Sequence, residues 1–255
     1  MDFGTATQAI CQNTLGVCPE DLCESVLLSP GWTPDRLFAP DTLCPLTDSS
    51  QLHGYRLWNV EDGAKRFTYL RAGFGAPMVL DAVYLLRYTP CKRIMFVSSG
   101  GALSSSMRVG DLLLPEISAS GDGASRYLQK DLLADTFGEI QRPDSKLFQR
   151  LYSTASRLCA QQNVALHLGC TFCVDTIAAQ QAHIPHIRSM GYNSLDMESA
   201  AAFKAARQAG IAISAILLIS DTQEQPLSAG RSEQDAAYRR RVRSVTLPAI
   251  LNEVL

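Results

Sequence analysis

Four stretches of the chain place glycines, hydroxyls, carboxylates and an arginine where apolar runs end. In the first, Ser29 to Arg36 (SPGWTPDR), Gly31 permits close backbone approach, and Thr33 with Pro34 reads as the N-cap and first residue of a helical turn. Free N–H groups at such a start attract anions, and Arg36 would add a planar, permanently charged fork. An ordinary capped turn with a surface arginine fits the same residues. The second, Phe96 to Leu103 (FVSSGGAL), has Ser98, Ser99, Gly100 and Gly101 at a strand end, where successive N–H groups can wrap an oxyanion. It is neither GxGxxG nor a Walker A loop, so no dinucleotide or NTP fingerprint applies, and a plain tight turn remains the alternative. The third, Ser194 to Ala202 (SLDMESAAA), sets Asp196 and Glu198 on either side of Met197. The two carboxylates point the same way if this piece is extended, and such a pair accepts hydrogen bonds from neighbouring hydroxyls, as on a ribose. Met197 would offer a soft apolar surface beside them. An acidic first turn on an alanine-rich helix is the competing explanation. In the fourth, Asp221 follows Ser220 at the end of the most apolar run, where burial can raise a carboxyl pKa and make it a general acid. A cap or turn aspartate would look the same.

Those residues need a scaffold, and the apolar pattern supplies one. Strands are expected at 26–29, 67–71, 94–98, 111–115, 164–168 and 211–220. Helices are expected at 77–88, 146–161, 177–190, 198–209 and 232–254, the last with an interruption at Pro248. Strands alternating with helices imply an α/β sandwich around a largely parallel sheet, and in such sheets ligands bind beyond the carboxyl ends of the strands. No linker, repeat or low-complexity tract divides the 255 residues, so a single domain over 1–255 is expected, with residues 1–25 an N-terminal extension of unassigned role.

Composition narrows the function classes. Hydrophobic residues make up 46% and charged residues 19%, the opposite of a disordered chain, and the net charge of −2 argues against a dedicated nucleic-acid binder. The basic cluster Arg239, Arg240, Arg241 and Arg243 reads as a solvated helix face. No apolar run approaches the ~18 residues that span a bilayer, and the first residues lack a signal-peptide pattern, so a cytoplasmic protein with no membrane partner is expected. The eight cysteines are scattered, which suits reduced thiols better than a disulfide framework. Cys170 and Cys173 form the only CxxC, and His183 and His186 flank Pro185, so no metal site is expected.

The order and spacing of the motifs PGWTPDR, RAGFGAP, FVSSGGAL, MRVGDLLLP, GDGASRYL, the strand-end Asp175, LDMESAA and LLISDT resemble one family. It is the nucleoside phosphorylase family, with the hexameric purine nucleoside phosphorylases, uridine phosphorylases and methylthioadenosine nucleosidases. The resemblance runs from about Val26 to Ser220. It implies a three-layer α/β/α sandwich around a central twisted mixed sheet, and homo-oligomers built as dimers or trimers of dimers. It also implies phosphate contacts from Gly31, Arg36 and Ser99, with inorganic phosphate a co-substrate and no other cofactor. Nucleoside contacts fall on Ser98, Gly100, Gly101, Ile177, Leu195, Asp196, Met197, Glu198 and Ser220, and the acid that protonates a purine leaving group on Asp221. The implied reaction is phosphorolysis of purine nucleosides to free base and ribose 1-phosphate. Departures favour an alternative. Phe96 stands where the hexameric phosphorylases carry a second phosphate arginine, and no arginine lies in 41–55, where those enzymes lend one to a neighbouring subunit. Ile177 replaces the aromatic that stacks on the base, and Arg231 lies nearer Asp221 than the arginine that follows the catalytic acid in the family. A hydrolytic nucleosidase is therefore the second reading, and a catalytically silent nucleoside-binding or scaffold protein the third.

Overall fold

The computed structural model describes residues 8–47, 54–223 and 232–255; Arg231 lies outside them. Ten strands occur among them: β1 (Ser25–Ser29), β2 (Leu43–Pro45), β3 (Arg56–Asp62), β4 (Lys65–Arg71), β5 (Arg93–Ala102), β6 (Leu112–Ser120), β7 (Glu139–Gln141), β8 (Leu166–Cys173), β9 (Ser194–Asp196) and β10 (Ala212–Asp221). The α-helices are α1 (Gln8–Leu15), α2 (Ala76–Leu85), α3 (Ser145–Gln162), α4 (Ile184–Ser189), α5 (Ser199–Ala209), α6 (Glu233–Arg241) and α7 (Leu247–Val254).

The central strands are apolar on both faces because helices cover both. Val26 and Leu28 of β1, with Ile94 and Phe96 of β5, pack into a cluster shared with α1, α2 and α5. Leu27, Met95 and Val97 point the other way, into a cluster shared with α3 and α7. That two-residue alternation between two helical layers makes a three-layer α/β/α sandwich. The sheet is mixed. β1 runs parallel to β4 and β5, β5 parallel to β10, and β3 joins β4 as an antiparallel hairpin through Gly63, whose φ is 61°. β10 is antiparallel to β6, β6 parallel to β8, β8 parallel to β9, and β9 antiparallel to β5. Half of the sheet thus closes on itself through β5, β10, β6, β8 and β9, while β1, β4, β3 and β2 extend it as an open wing.

The helical layers differ from the sequence expectation in two places. The region 177–190 is not one helix: a 3-10 segment, Ala179–His183, precedes the short α4. Pro185 explains the break, since it lacks an N–H and is tolerated in a first turn but not in a helix interior. The C-terminal helix is interrupted just upstream of Pro248, by the wide π turn Val242–Thr246 that separates α6 from α7. α5 matches its expectation and is buried along nearly its whole length: Ala200, Ala201, Ala202, Ala205 and Ala206 let it sit close to the sheet and to α2. No helix among the described residues is long and apolar enough to cross a membrane.

Candidate active site

The C-terminal ends of β1, β5, β9 and β10 meet around one cleft of about 350 Å³. It is lined by Gly31, Ser98, Ser99, Gly100, Gly101, Ile177, Leu195, Asp196, Met197, Glu198, Ser220 and Asp221, together with Phe74, Arg239 and others. Of the site residues expected from sequence, Arg36 alone is not in that lining; it is exposed in the 3-10 turn Pro34–Arg36, which the Thr33 side chain does not cap. A second lobe of about 480 Å³ continues the cleft past Gly101, Ile177, Leu195 and Asp221.

At the β1 end, Trp32 N donates to Ser29 Oγ (3.3 Å), and the buried Tyr69 hydroxyl donates to the Trp32 carbonyl (2.9 Å). These bonds fix the turn that presents Gly31. A Cβ on Gly31 would lie 2.3 Å from Cζ of Phe74, so any side chain there would push that ring aside. Phe74 itself sits between Gly73 and Gly75, whose φ angles of 92° and 93° swing the chain across the mouth of the cleft. Phe74 is 70% exposed.

Ser98 to Gly101 do not form the expected turn. β5 stays extended to Ala102 because β10 pairs with it as far as Gly101. On its other edge the register with β1 stops at Phe96 and that with β9 starts at Gly101. Between those points β5 has a strand partner on the β10 side alone. Its outer edge therefore turns unladdered backbone toward Gly31, the property wanted of an anion cradle, reached through a strand gap instead of a turn.

β10 ends in a bulge. Its register with β5 slips between Ile219 and Asp221, leaving Ser220 as the extra residue. Ser220 Oγ reaches the Gly100 carbonyl (3.2 Å) and the Asp221 carboxylate (2.6 Å). A bulge re-aims the side chain that follows it. Here Asp221 lies over Gly101, where a Cβ would come within 3.1 Å of Asp221 Oδ2.

The two carboxylates around Met197 serve different partners. β9 is extended only to Asp196, and Glu198 sits at the N-cap of α5 with φ −142° and ψ −28°. Asp196 Oδ1 accepts from Cys173 Sγ (2.7 Å) and Oδ2 from Ser199 N (2.8 Å), so each oxygen already has a donor in the protein. Glu198 Oε1 accepts from Gly75 N (2.8 Å). Burial first, and then the charge of Asp196, push the Glu198 carboxyl up to about 8. Burial likewise raises Asp196. The RAGFGAP turn thus positions a site residue, because its Gly75 N–H holds Glu198 at the cleft.

Sequence reasoning missed Arg239. It belongs to the basic cluster read as a solvated face, yet it lines the cleft, and its Nη2 lies 3.5 Å from Ser99 Oγ. Asp175 accepts from Gly123 N (2.9 Å) and so ties the GDG loop to the end of β8. Cys170 and Cys173 lie three apart on β8 and face opposite sides of it, which does not suit a shared metal.

Comparison with known proteins agrees with this geometry. The family model described as phosphorylase superfamily matches residues 43–251. No curated protein matches the chain. Among solved structures, uridine phosphorylase from Vibrio fischeri ES114, complexed with 6-hydroxy-1-naphthoic acid, superposes with a TM-score of 0.71 at 19% identity, covering 91% of this chain and 92% of that one. AMP nucleosidase from Bacteroides thetaiotaomicron VPI-5482 superposes with a TM-score of 0.70 at 17% identity, covering 96% of each chain.

Proposed function

For a chain that belongs to the phosphorylase superfamily, we propose phosphorolysis of purine nucleosides, giving free base and ribose 1-phosphate. The observation that carries this reading is convergence: Gly31 and Ser99, the Met197–Glu198 pair and Asp221 line one cleft at strand ends.

Phosphate would lie against Gly31, Ser99 and the open edge of β5, with Arg36 adding charge at the rim. The ribose would stack its apolar side on Met197 and present hydroxyls to Glu198, while Asp196 holds the start of α5 in place behind them. Ser98, Gly100, Leu195 and Ser220 shape the floor. The base would enter the second lobe beside Ile177, with Asp221 and Gly101 at the junction. The bond from C1′ to the purine nitrogen breaks with its electron pair leaving on the base. Asp221 donates its proton to that base, which lowers the charge of the leaving group. A phosphate oxygen then forms the new bond to C1′ of the oxocarbenium-like ribosyl group. A carboxylic acid at Asp221 suits a purine, whose ring nitrogen can accept the proton.

One observation favours a second reading, hydrolysis by water. The Phe74 ring lies directly on Gly31 and narrows the space in which phosphate would sit. The solved relatives include both chemistries by name, a phosphorylase and a nucleosidase. Incubation with inosine, adenosine, methylthioadenosine and uridine, with and without phosphate, separates the readings. Release of purine base dependent on phosphate supports phosphorolysis; release that ignores phosphate sinks it in favour of the nucleosidase. Saturable nucleoside binding without any release leaves a silent binding protein. We further place the protein in the cytoplasm as a homo-oligomer, a dimer or a trimer of dimers, acting without metal or organic cofactor.

A further inference from the structure

Among the described residues that line the cleft, neither β1 with the turn after it nor the end of β5 contributes a cation. Phe96, the β5 side chain two residues before Ser98, is fully buried in the apolar cluster with α2 and α5, and Arg36 is exposed outside the cleft lining. The cation that does line the cleft comes from α6 at the far end of the chain. Arg239 reaches Ser99 Oγ, and Ser99 is the hydroxyl of the cradle itself.

Its position is built, not incidental. The neighbouring residue, Tyr238, packs on the turn before β6. Its hydroxyl donates to Asp111 Oδ1 (3.3 Å), and the Arg108 guanidinium lies 4.3 Å from its ring centroid. Asp111 is 1% exposed, and its other oxygen meets Arg108 N (3.1 Å) and His167 Nε2 (2.9 Å). Gly110 completes the seat. A Cβ there would lie 2.6 Å from the Tyr238 ring and 3.1 Å from the Arg239 Cα, so α6 rests on a residue that has no side chain. The surroundings are cationic as well: burial, together with Arg36 and Arg240, lowers the Arg243 pKa.

We infer that Arg239 is the principal phosphate-binding cation of this site, delivered by the C-terminal helix to a cradle whose own strands supply only hydroxyl and backbone groups. The inference rests on the phosphorolysis reading. It adds a specificity residue to that reading: a guanidinium fork beside Ser99 favours a tetrahedral oxyanion over water as the occupant.

The test measures inorganic phosphate binding to the full chain by calorimetry in the absence of nucleoside, for the wild type, Arg239→Ala, Arg239→Lys and Arg36→Ala. The expected result is loss of roughly tenfold or more in affinity for Arg239→Ala, the scale of one charge-assisted hydrogen bond, with partial recovery in Arg239→Lys. Arg36→Ala is expected to lose less. In steady-state assays Arg239→Ala should raise the phosphate KM far more than it lowers kcat while the melting temperature stays at the wild-type value; general loosening of α6 would lower both phosphate affinity and the melting temperature. Phosphate affinity in Arg239→Ala equal to that of the wild type, with both folded by circular dichroism, overturns the assignment while leaving phosphorolysis intact. A wild type that binds no phosphate overturns the phosphorolysis reading and this inference together.

Discussion

At the scale of single residues, the site turns on two carboxyls with different environments. Asp221 is held by Ser220 over Gly101, at the junction of the two lobes of the cleft. Under the proposed mechanism Asp221→Asn keeps the shape of the side chain and removes the proton donor, so purine release should fall by about 10²-fold or more. Unchanged turnover removes Asp221 from its role. Glu198 gives a pH signature. Its folded pKa, about 8, lies above its ordinary 4.5. Its stabilising contribution is therefore whole below about pH 4.5 and disappears as the pH climbs through 8. The wild-type melting temperature should fall across that window. Asp196, also raised, adds a fall of the same sign. Glu198→Gln should make the decline shallower, and an unchanged slope would show that Glu198 titrates as an ordinary carboxyl. Asp221, Glu198, Ser99 and Gly31 were all legible in the sequence because glycine, hydroxyl and acid are conspicuous at the ends of apolar runs. Arg239 was not, since nothing within a run of four arginines over five positions marks which of them lines the cleft.

At the scale of elements, the C-terminal helix depends on contacts far from it in sequence. Gly110 has φ 97° and lies against α6. Gly110→Ala combines a left-handed strain with a clash against the helix backbone, and should reduce stability by about 1–3 kcal/mol. Denaturant unfolding checks that figure, and phosphate affinity should fall with it as Arg239 moves off Ser99. A fully stable variant with normal phosphate affinity would mean that α6 is not seated by this turn. The same dependence on distant partners explains which elements could be read in advance. The strand cores of β1, β4, β5, β6 and β10 and the helices α2, α3 and α5 follow from local apolar periodicity. In contrast, β8 begins at Leu166 and runs to Cys173, beyond the expected 164–168, because its pairing with β6 and β9 carries it through Gly169 to Cys173. Ser98 to Gly101 suggested a turn because two serines and two glycines weaken any strand signal, yet pairing with β10 carries the strand through them. β9, three residues long, exists because β5 and β8 both pair with it, which no local pattern encodes. The β3–β4 hairpin did carry a local sign, the Asp62-Gly63 turn.

At the scale of the whole molecule, the alternation of strands and helices was readable as an α/β sandwich, whereas the order of the strands, their mixed directions and the closure of β5, β10, β6, β8 and β9 into a ring were not. That closure sets the ends of β5, β9 and β10 around the cleft, with β1 at the start of the open wing completing it. The proposed assembly predicts that the 27.8 kDa chain sediments as a dimer or larger; a monomer at micromolar concentration would contradict it. The proposed reaction depends on phosphate, and not water, capturing C1′. Phosphorus NMR of a reaction with inosine and inorganic phosphate tests that step most directly. Ribose 1-phosphate should form mole for mole with hypoxanthine. Hypoxanthine released with free ribose and no new phosphorus signal would contradict it.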